Sequence, residues 1–256
     1  MSDWVHVDPS DSALILCFPH GGTDLPAPFD AALVSRDLAI KDTDWHIRQL
    51  YDGLADATRI WTDVSRSVID CNRDPGGASL YPGQATTELC PTTTFDGEPL
   101  YADGVAPDVE ARRPFHAAYH AAIAAEIERL RGRHADIVLF DCHSIRSVIP
   151  RLFDGELPEL NIGTDGGVTC DPALESAVVA AANASGRSHV LNGRFRGGWT
   201  TRHYAAPDDG VHAIQLEIAQ RAYLDEAQPN RWNGAIAEQL RPTLANILKA
   251  CTDFAR

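Results

Sequence analysis

Three residues of this chain stand where chemistry is done in α/β proteins: His20, His143 and Glu217. His20 follows the apolar run 13–18 (ALILCF) after a single proline and opens the glycine-rich stretch His20-Gly21-Gly22. His143 follows the run 136–142 (DIVLFDC), and Glu217 sits inside 212–218 (HAIQLEI). Short apolar runs bounded by turn signals read as buried strands. In open α/β sheets ligands bind beyond the carboxyl ends of the strands, so both imidazoles converge on that edge. Imidazole nitrogen suits zinc and related divalent ions, and a catalytic zinc needs a third protein ligand and an open position for water. Asp24, in the His20 loop, and Asp44, in Asp42-Thr43-Asp44-Trp45, are the acidic candidates. Asp141, two residues before His143, is placed to fix the tautomer of a ligating imidazole. A carboxylate in the apolar run around Glu217 is costly without a partner or a task. As a general base it gains from desolvation, which raises its pKa towards neutrality. The plainer readings are backbone-bonded loop histidines and a glutamate on the exposed face of an edge strand.

Donors for an anion are also present. Asp70-Cys71-Asn72-Arg73 closes a strand-like segment, with Arg66 just before it. Arg194 and Arg196 lie in a glycine-bounded stretch, followed by Arg202 and His203. An arginine fork fits a carboxylate bidentately, and glycine lets backbone approach a ligand closely. His116 and His120 form an HxxxH pair, but the residue after His116 is Ala117, so the HExxH metal pattern is missing. This pair is read as structural.

The elements that position these groups alternate along the chain. The spacing predicts strands over 13–18, 59–64, 67–71, 136–142 and 212–218, and helices over 44–57, 108–133, 171–184 and 232–250. Asp171-Pro172 is a good N-cap followed by proline at the first helical position. Residues 73–105 show no period and are rich in Pro, Gly and Thr; a stretch of this kind is an active-site loop or a wandering surface loop. Alternating strands and helices with no linker or repeat predict one domain over 1–256, of α/β class, with a mixed, mostly parallel central sheet flanked by helices.

Bulk properties narrow the partners. The chain has 256 residues, 44% of them apolar and 23% charged, which suits a globular enzyme. Its formal net charge of -14 repels nucleic acid and anionic membranes, so neither is expected as a partner. A small anionic substrate would then need a local basic pocket. Six cysteines without a CxxC pair, an N-terminal segment without a signal-peptide pattern and no long apolar run predict reduced thiols and a cytoplasmic protein, as monomer or small homo-oligomer.

Taken together, these segments resemble the N-formylglutamate amidohydrolases, or N-formylglutamate deformylases, of histidine degradation. The likeness rests on Pro19-His20-Gly21-Gly22-Thr23, Asp42-Thr43-Asp44-Trp45, Ser65-Arg66 through Asn72-Arg73, and Thr93-Thr94-Phe95-Asp96-Gly97-Glu98-Pro99-Leu100-Tyr101. It continues through Asp141-Cys142-His143-Ser144, Pro150-Arg151-Leu152-Phe153-Asp154-Gly155, Asn192-Gly193-Arg194-Phe195, Thr201-Arg202-His203-Tyr204 and Gln215-Leu216-Glu217. The resemblance implies a fold like that of the zinc carboxypeptidases, shared with aspartoacylase and succinylglutamate desuccinylase. It implies a divalent metal, zinc by preference, held by His20, His143 and an acid, with Glu217 as catalytic base. Those relatives carry HxxE, whereas the residue three after His20 is Thr23; Asp44, in a matching segment, is preferred to Asp24 as third ligand. Asn72 and Arg73 are similar to the pair that grips substrate carboxylate, with Arg66, Arg194, Arg202 and His203 as further anion contacts. The implied reaction is hydrolysis of N-formyl-L-glutamate to formate and L-glutamate. The alternatives are a deacylase of N-acetylaspartate or N-succinylglutamate type, and a non-catalytic binder of acidic amino acids.

Overall fold

The computed structural model describes residues 4–78 and 87–256. In chain order the elements are β1 (Val5–Asp8), β2 (Leu14–Phe18), α1 (Arg36–Ala39), α2 (Ile47–Leu50), β3 (Thr58–Thr62), α3 (Val109–Arg131) and β4 (Ile137–Ile145). They continue with β5 (Leu160–Gly163), α4 (Pro172–Ala184), β6 (His189–Leu191), α5 (Trp199–Tyr204), β7 (Val211–Ala219) and α6 (Gly234–Phe254). The seven strands form one sheet in the order β1-β3-β2-β4-β7-β5-β6. β3, β2, β4 and β7 run parallel, β5 and β6 pair parallel with each other, and β1 and β5 join antiparallel. The chain is therefore a single-domain α/β structure with a mixed, mostly parallel sheet.

Helices cover both faces. Leu14, Leu16, Phe18, Val138, Phe140, Ile214 and Leu216 pack on one face with residues of α4 and α6. Ile15, Cys17, Ile137, Leu139, Val211 and Ala213 pack on the other against Tyr119, Ile123 and Ile127 of α3. Side chains alternate between faces along a strand. On the α3 face the odd positions of β4 therefore read Ile137, Leu139, Asp141, His143, and those of β7 read Val211, Ala213, Gln215, Glu217. Each strand is apolar in its first half and polar in its second. The carboxyl half of the α3 face is thus a buried polar floor.

Several sequence expectations shift. His143 lies within β4 rather than after it, because both strands stay buried and paired to Ile145 and Ala219. Residues 67–71 form turns instead of a strand: Val68 donates to the Ser65 carbonyl, Asn72 N–H to Asp70 Oδ1, and Arg73 N–H to the Asp70 carbonyl. The helix expected over 44–57 shrinks to α2, entered through His46 at φ 58° and followed by Gly53 at φ 68°. β1, β5 and β6 are too short to stand out by pattern. The long helix and the Asp171-capped helix fall where spacing predicts, each with its aspartate accepting a backbone N–H. No α3-like helix or any other among the described residues is long and apolar enough to cross a membrane.

Candidate metal and substrate site

The site begins with what each strand end delivers. β2 and β4 are in parallel register, with Cys17 opposite Asp141, so His20 and His143 emerge side by side. Asp44 reaches the same point from the turn before α2, where its backbone N–H donates to the His20 carbonyl. All three side chains are buried, and their ligand atoms lie within 4.8 Å of one another. The two Nδ1 atoms are 3.1 Å apart, and Asp44 Oδ2 stands 3.8 Å from that of His20 and 3.4 Å from that of His143. Ligands at about 2.0–2.1 Å from a tetrahedral ion are separated by roughly 3.3 Å, so these spacings suit one shared cation.

The atoms behind the trio support the same fit. His20 Nε2 donates to Asp70 Oδ1 at 2.7 Å, and His143 Nε2 lies 2.9 Å from Asp141 Oδ2. On His20 the Asp70 carboxylate keeps the proton on Nε2 and turns the Nδ1 lone pair inward, as a metal-ligating histidine requires, whereas His143 Nε2 faces both Asp141 and the Asn72 amide nitrogen, the latter at 3.0 Å. Arg66 spans the acids, 2.8 Å from Asp70 and 3.4 Å from Asp44. Burial opposes charge on Asp70, yet Arg73, His20 and Arg66 hold its carboxyl well below the usual range. Burial lowers His20 to about 4, with Arg66 adding to the effect. His143 goes the other way: despite burial, Asp141 and Asp44 raise it well above the usual histidine range.

Glu217 faces this centre from β7, directly opposite His143 in the strand register. It is 8% exposed and lines the cavity, and its carboxylate makes no hydrogen bond or ion pair with a described residue. Burial pushes it up to about 8, and Asp44 and Asp141 add to the rise against His143 and Arg66. A buried carboxyl of this kind can hold a proton near neutral pH and pass it on.

A cavity lies above the trio. Arg66, Arg73 and Arg194 line it as cations, and Phe95, Ile145, Leu152 and Phe195 as apolar wall. Arg73 is steadied by hydrogen bonds to the Thr87 carbonyl and hydroxyl at 3.0 and 2.9 Å, and Arg194 donates to the Leu152 carbonyl at 2.8 Å. Asn72 also lines the cavity, and its Oδ1 accepts the Thr200 N–H at 2.9 Å.

Of the residues singled out by sequence, His20, His143, Glu217, Arg66, Asn72, Arg73 and Arg194 meet at this cavity, and Asp44 lies beneath it. Arg202 and His203 do not line it: Arg202 pairs with Asp165 at 3.2 Å, and His203 stacks on Trp199. Asp24 is exposed, bridging by backbone to Val64, and is not part of the trio. From the long stretch 73–105, Arg73, Thr87 and Phe95 reach the cavity, while residues 79–86 lie outside the described residues. Sequence reasoning gave no role to Asp70, Gln215 or the Phe95 and Phe195 walls. Gln215 had a usable signal: it precedes Glu217 by two, hence shares its face, and its Oε1 accepts the Gly198 N–H at 2.6 Å.

Comparison with known proteins gives concordant findings. The N-formylglutamate amidohydrolase family matches residues 12–224. The N-formylglutamate deformylase of Pseudomonas aeruginosa is 45% identical over 250 residues, covering 95% of this chain and 94% of that protein. That of Pseudomonas putida is 44% identical over 244 residues, covering 93% and 91%. Among solved structures, an N-formylglutamate amidohydrolase from Ralstonia eutropha superposes with a TM-score of 0.80 at 21% identity, covering 99% of this chain and 98% of the other. A gene product from Agrobacterium tumefaciens gives 0.70 at 20% identity, covering 100% and 97%. At these identities the two structures speak to the fold.

Proposed function

The chain belongs to the N-formylglutamate amidohydrolase family, and from that premise we propose that it hydrolyses N-formyl-L-glutamate to formate and L-glutamate, using a divalent metal and Glu217 as base. The observation that carries the mechanism is a buried carboxylate, Glu217, without a partner among the described residues, set opposite His143 of the His-Asp-His cluster on the adjacent strand. His20, Asp44 and His143 would hold the ion, and two imidazoles with one carboxylate are a donor set that suits catalytic zinc. Bound there, such an ion would supply Lewis acidity for the formyl carbonyl and for a water molecule.

The protein's own groups do the rest. Glu217 takes a proton as water adds to the formyl carbon, and returns it to the amide nitrogen as the C–N bond breaks. Asp70 keeps the Nε2 proton of His20 in place throughout, and Asp141 and Asn72 hold the His143 ring from its Nε2 side. Arg73 and Arg194 hold the two carboxylates of the glutamyl part, and Asn72 fixes the Arg73 end of the cavity. Arg202 and His203 are left out of this assignment because they lie off the cavity. Six buried thiols with no disulfide among them suit a reducing cytoplasm.

The test is an assay of free amino acid released from N-formyl-L-glutamate, N-acetyl-L-aspartate and N-succinyl-L-glutamate in parallel. The formyl substrate should be turned over far faster than the other two. A preference for either rival acyl group, or no turnover of any, overturns the assignment. Glu217→Gln should lower kcat by about 10²–10⁴ while metal content stays normal, the range for loss of a general base.

A further inference from the structure

Among the described residues the HxxxH pair of α3 joins no cluster of metal-ligating groups, yet it is not ordinary core. His116 and His120 are 4% and 8% exposed, with ring centroids 4.3 Å apart. His116 Nε2 lies 3.0 Å from the Arg73 carbonyl oxygen, and His120 Nε2 lies 2.7 Å from that of Cys71. A carbonyl oxygen only accepts, so each ring carries its proton on Nε2 and donates it there. Burial keeps both rings neutral, lowering His116 and taking His120 to about 3.

The two acceptors flank Asn72. Residues 70–73 belong to no helix or strand, so their backbone groups have no ladder to join and need partners from elsewhere. Residues four apart on a helix share one face, which lets α3 present two donors to two carbonyls at once. Trp199 of α5 packs on both rings, at 5.4 and 4.5 Å between centroids, and the next residue, Thr200, donates its N–H to the Asn72 side chain. From the floor, Asp70 accepts the Asn72 N–H at 2.9 Å. The segment that offers Asn72 and Arg73 to the cavity is thus held from three sides.

We propose that His116 and His120 are positioning residues, whose Nε2–H groups clamp the Cys71 and Arg73 carbonyls and so aim Arg73 at a substrate carboxylate. The inference rests on the substrate reading given above for what Arg73 grips. It predicts that losing a donor weakens substrate binding and spares the chemical step, because neither ring touches the trio or Glu217.

The experiment compares His116→Leu and His120→Leu with His116→Gln and His120→Gln, since the glutamine amide nitrogen donates from nearly the same place as Nε2. In each Leu variant KM for N-formyl-L-glutamate should rise roughly tenfold, with kcat within about threefold and bound metal unchanged, the pattern of lost uniform binding. Each Gln variant should recover most of the KM. Unchanged KM in the Leu variants, or Gln variants no better than Leu, overturns the clamp. Nitrogen-15 NMR of the wild-type imidazoles gives a second decision that needs no substrate. Both rings should appear as Nε2–H tautomers, and an Nδ1–H tautomer for either one refutes the donation. A wild-type enzyme inactive on N-formyl-L-glutamate would end the substrate reading, while the tautomers still decide the clamp.

Discussion

At the residue scale, two acids carry the functional reading. Asp44 and Asp24 were the rival third ligands, and only Asp44 has an oxygen within 3.8 Å of both imidazole Nδ1 atoms. Asp44→Ala should lose most bound metal and Asp24→Ala should keep it, as read by elemental analysis; normal metal in Asp44→Ala would remove Asp44 from the ligand set. Glu217 makes a different prediction, about stability. Its carboxyl moves from near 4.5 to about 8 on folding, so the folded chain holds that proton more tightly than the unfolded one. Stability tied to this group is full below about pH 4.5 and falls as pH rises towards 8. In metal-free protein Glu217→Gln should therefore be stabilising, by about 1–4 kcal/mol at pH 8.5 and much less at pH 5.5. Melting curves at the two pH values check this, and an equal gain at both would contradict it. The base would then be a group whose placement lowers stability in exchange for chemistry.

At the element scale, the site depends on how strand ends and loops approach one another. The turn after β2 carries His20 past the end of β3, and Gly22 passes so close that an added Cβ would stand 2.4 Å from the Asp63 carbonyl carbon and oxygen. Backbone cannot yield as a side-chain tip can, so Gly22→Ala must push the His20 turn away from β3. Overpacking of this kind costs about 1–3 kcal/mol. The expected result is a lower Tm together with weaker metal binding, because His20 moves with the turn. An alanine variant with wild-type Tm and metal affinity would show that the turn has slack. The turn at Thr93–Pro99 is held in a similar way: Asp42 accepts the Phe95 N–H at 2.6 Å, and Arg146 joins Asp42 to Asp96 at 3.0 and 2.9 Å. These contacts fix Phe95 as a wall of the cavity, over Arg66 at 4.8 Å.

At the scale of the whole molecule, a net charge of -14 attracts a divalent cation and repels a dicarboxylate. Arg66, Arg73 and Arg194 at the cavity supply the local sign change the substrate needs. The ion also couples to folding, since the trio exists only in the folded chain. Metal at a hundredfold excess over its Kd adds about 2.7 kcal/mol. For a chain of this size each kcal/mol is about 2–4 °C in Tm. Chelation should thus lower Tm by roughly 5–10 °C and abolish activity, with both restored by zinc. A Tm and turnover indifferent to chelator would exclude a metal from this centre.

Much of this was written in the chain. The runs before His20 and around His143 and Glu217 are too apolar to be anything but buried strands, so a sheet edge bearing two imidazoles and a carboxylate could be read directly. The Asp171-Pro172 cap likewise fixed a helix start from local chemistry. What sequence could not decide was which groups meet. In a sheet buried on both faces, alternation in β4 and β7 carries no polar signal until Asp141 and Gln215, so the shared floor emerged only when α3 was seen to cover it. Asp70 could not be recognised as the partner of His20, fifty residues away, because a turn rather than the expected strand brings it there. Arg202 and His203 looked equal to Arg194 in sequence, and only the direction of α5 separates them. Local pattern thus offered the two histidines as candidate ligands, and the family resemblance singled them out. Their tautomers, their third partner and the clamp behind Arg73 are long-range contacts, and only the tertiary structure supplies those.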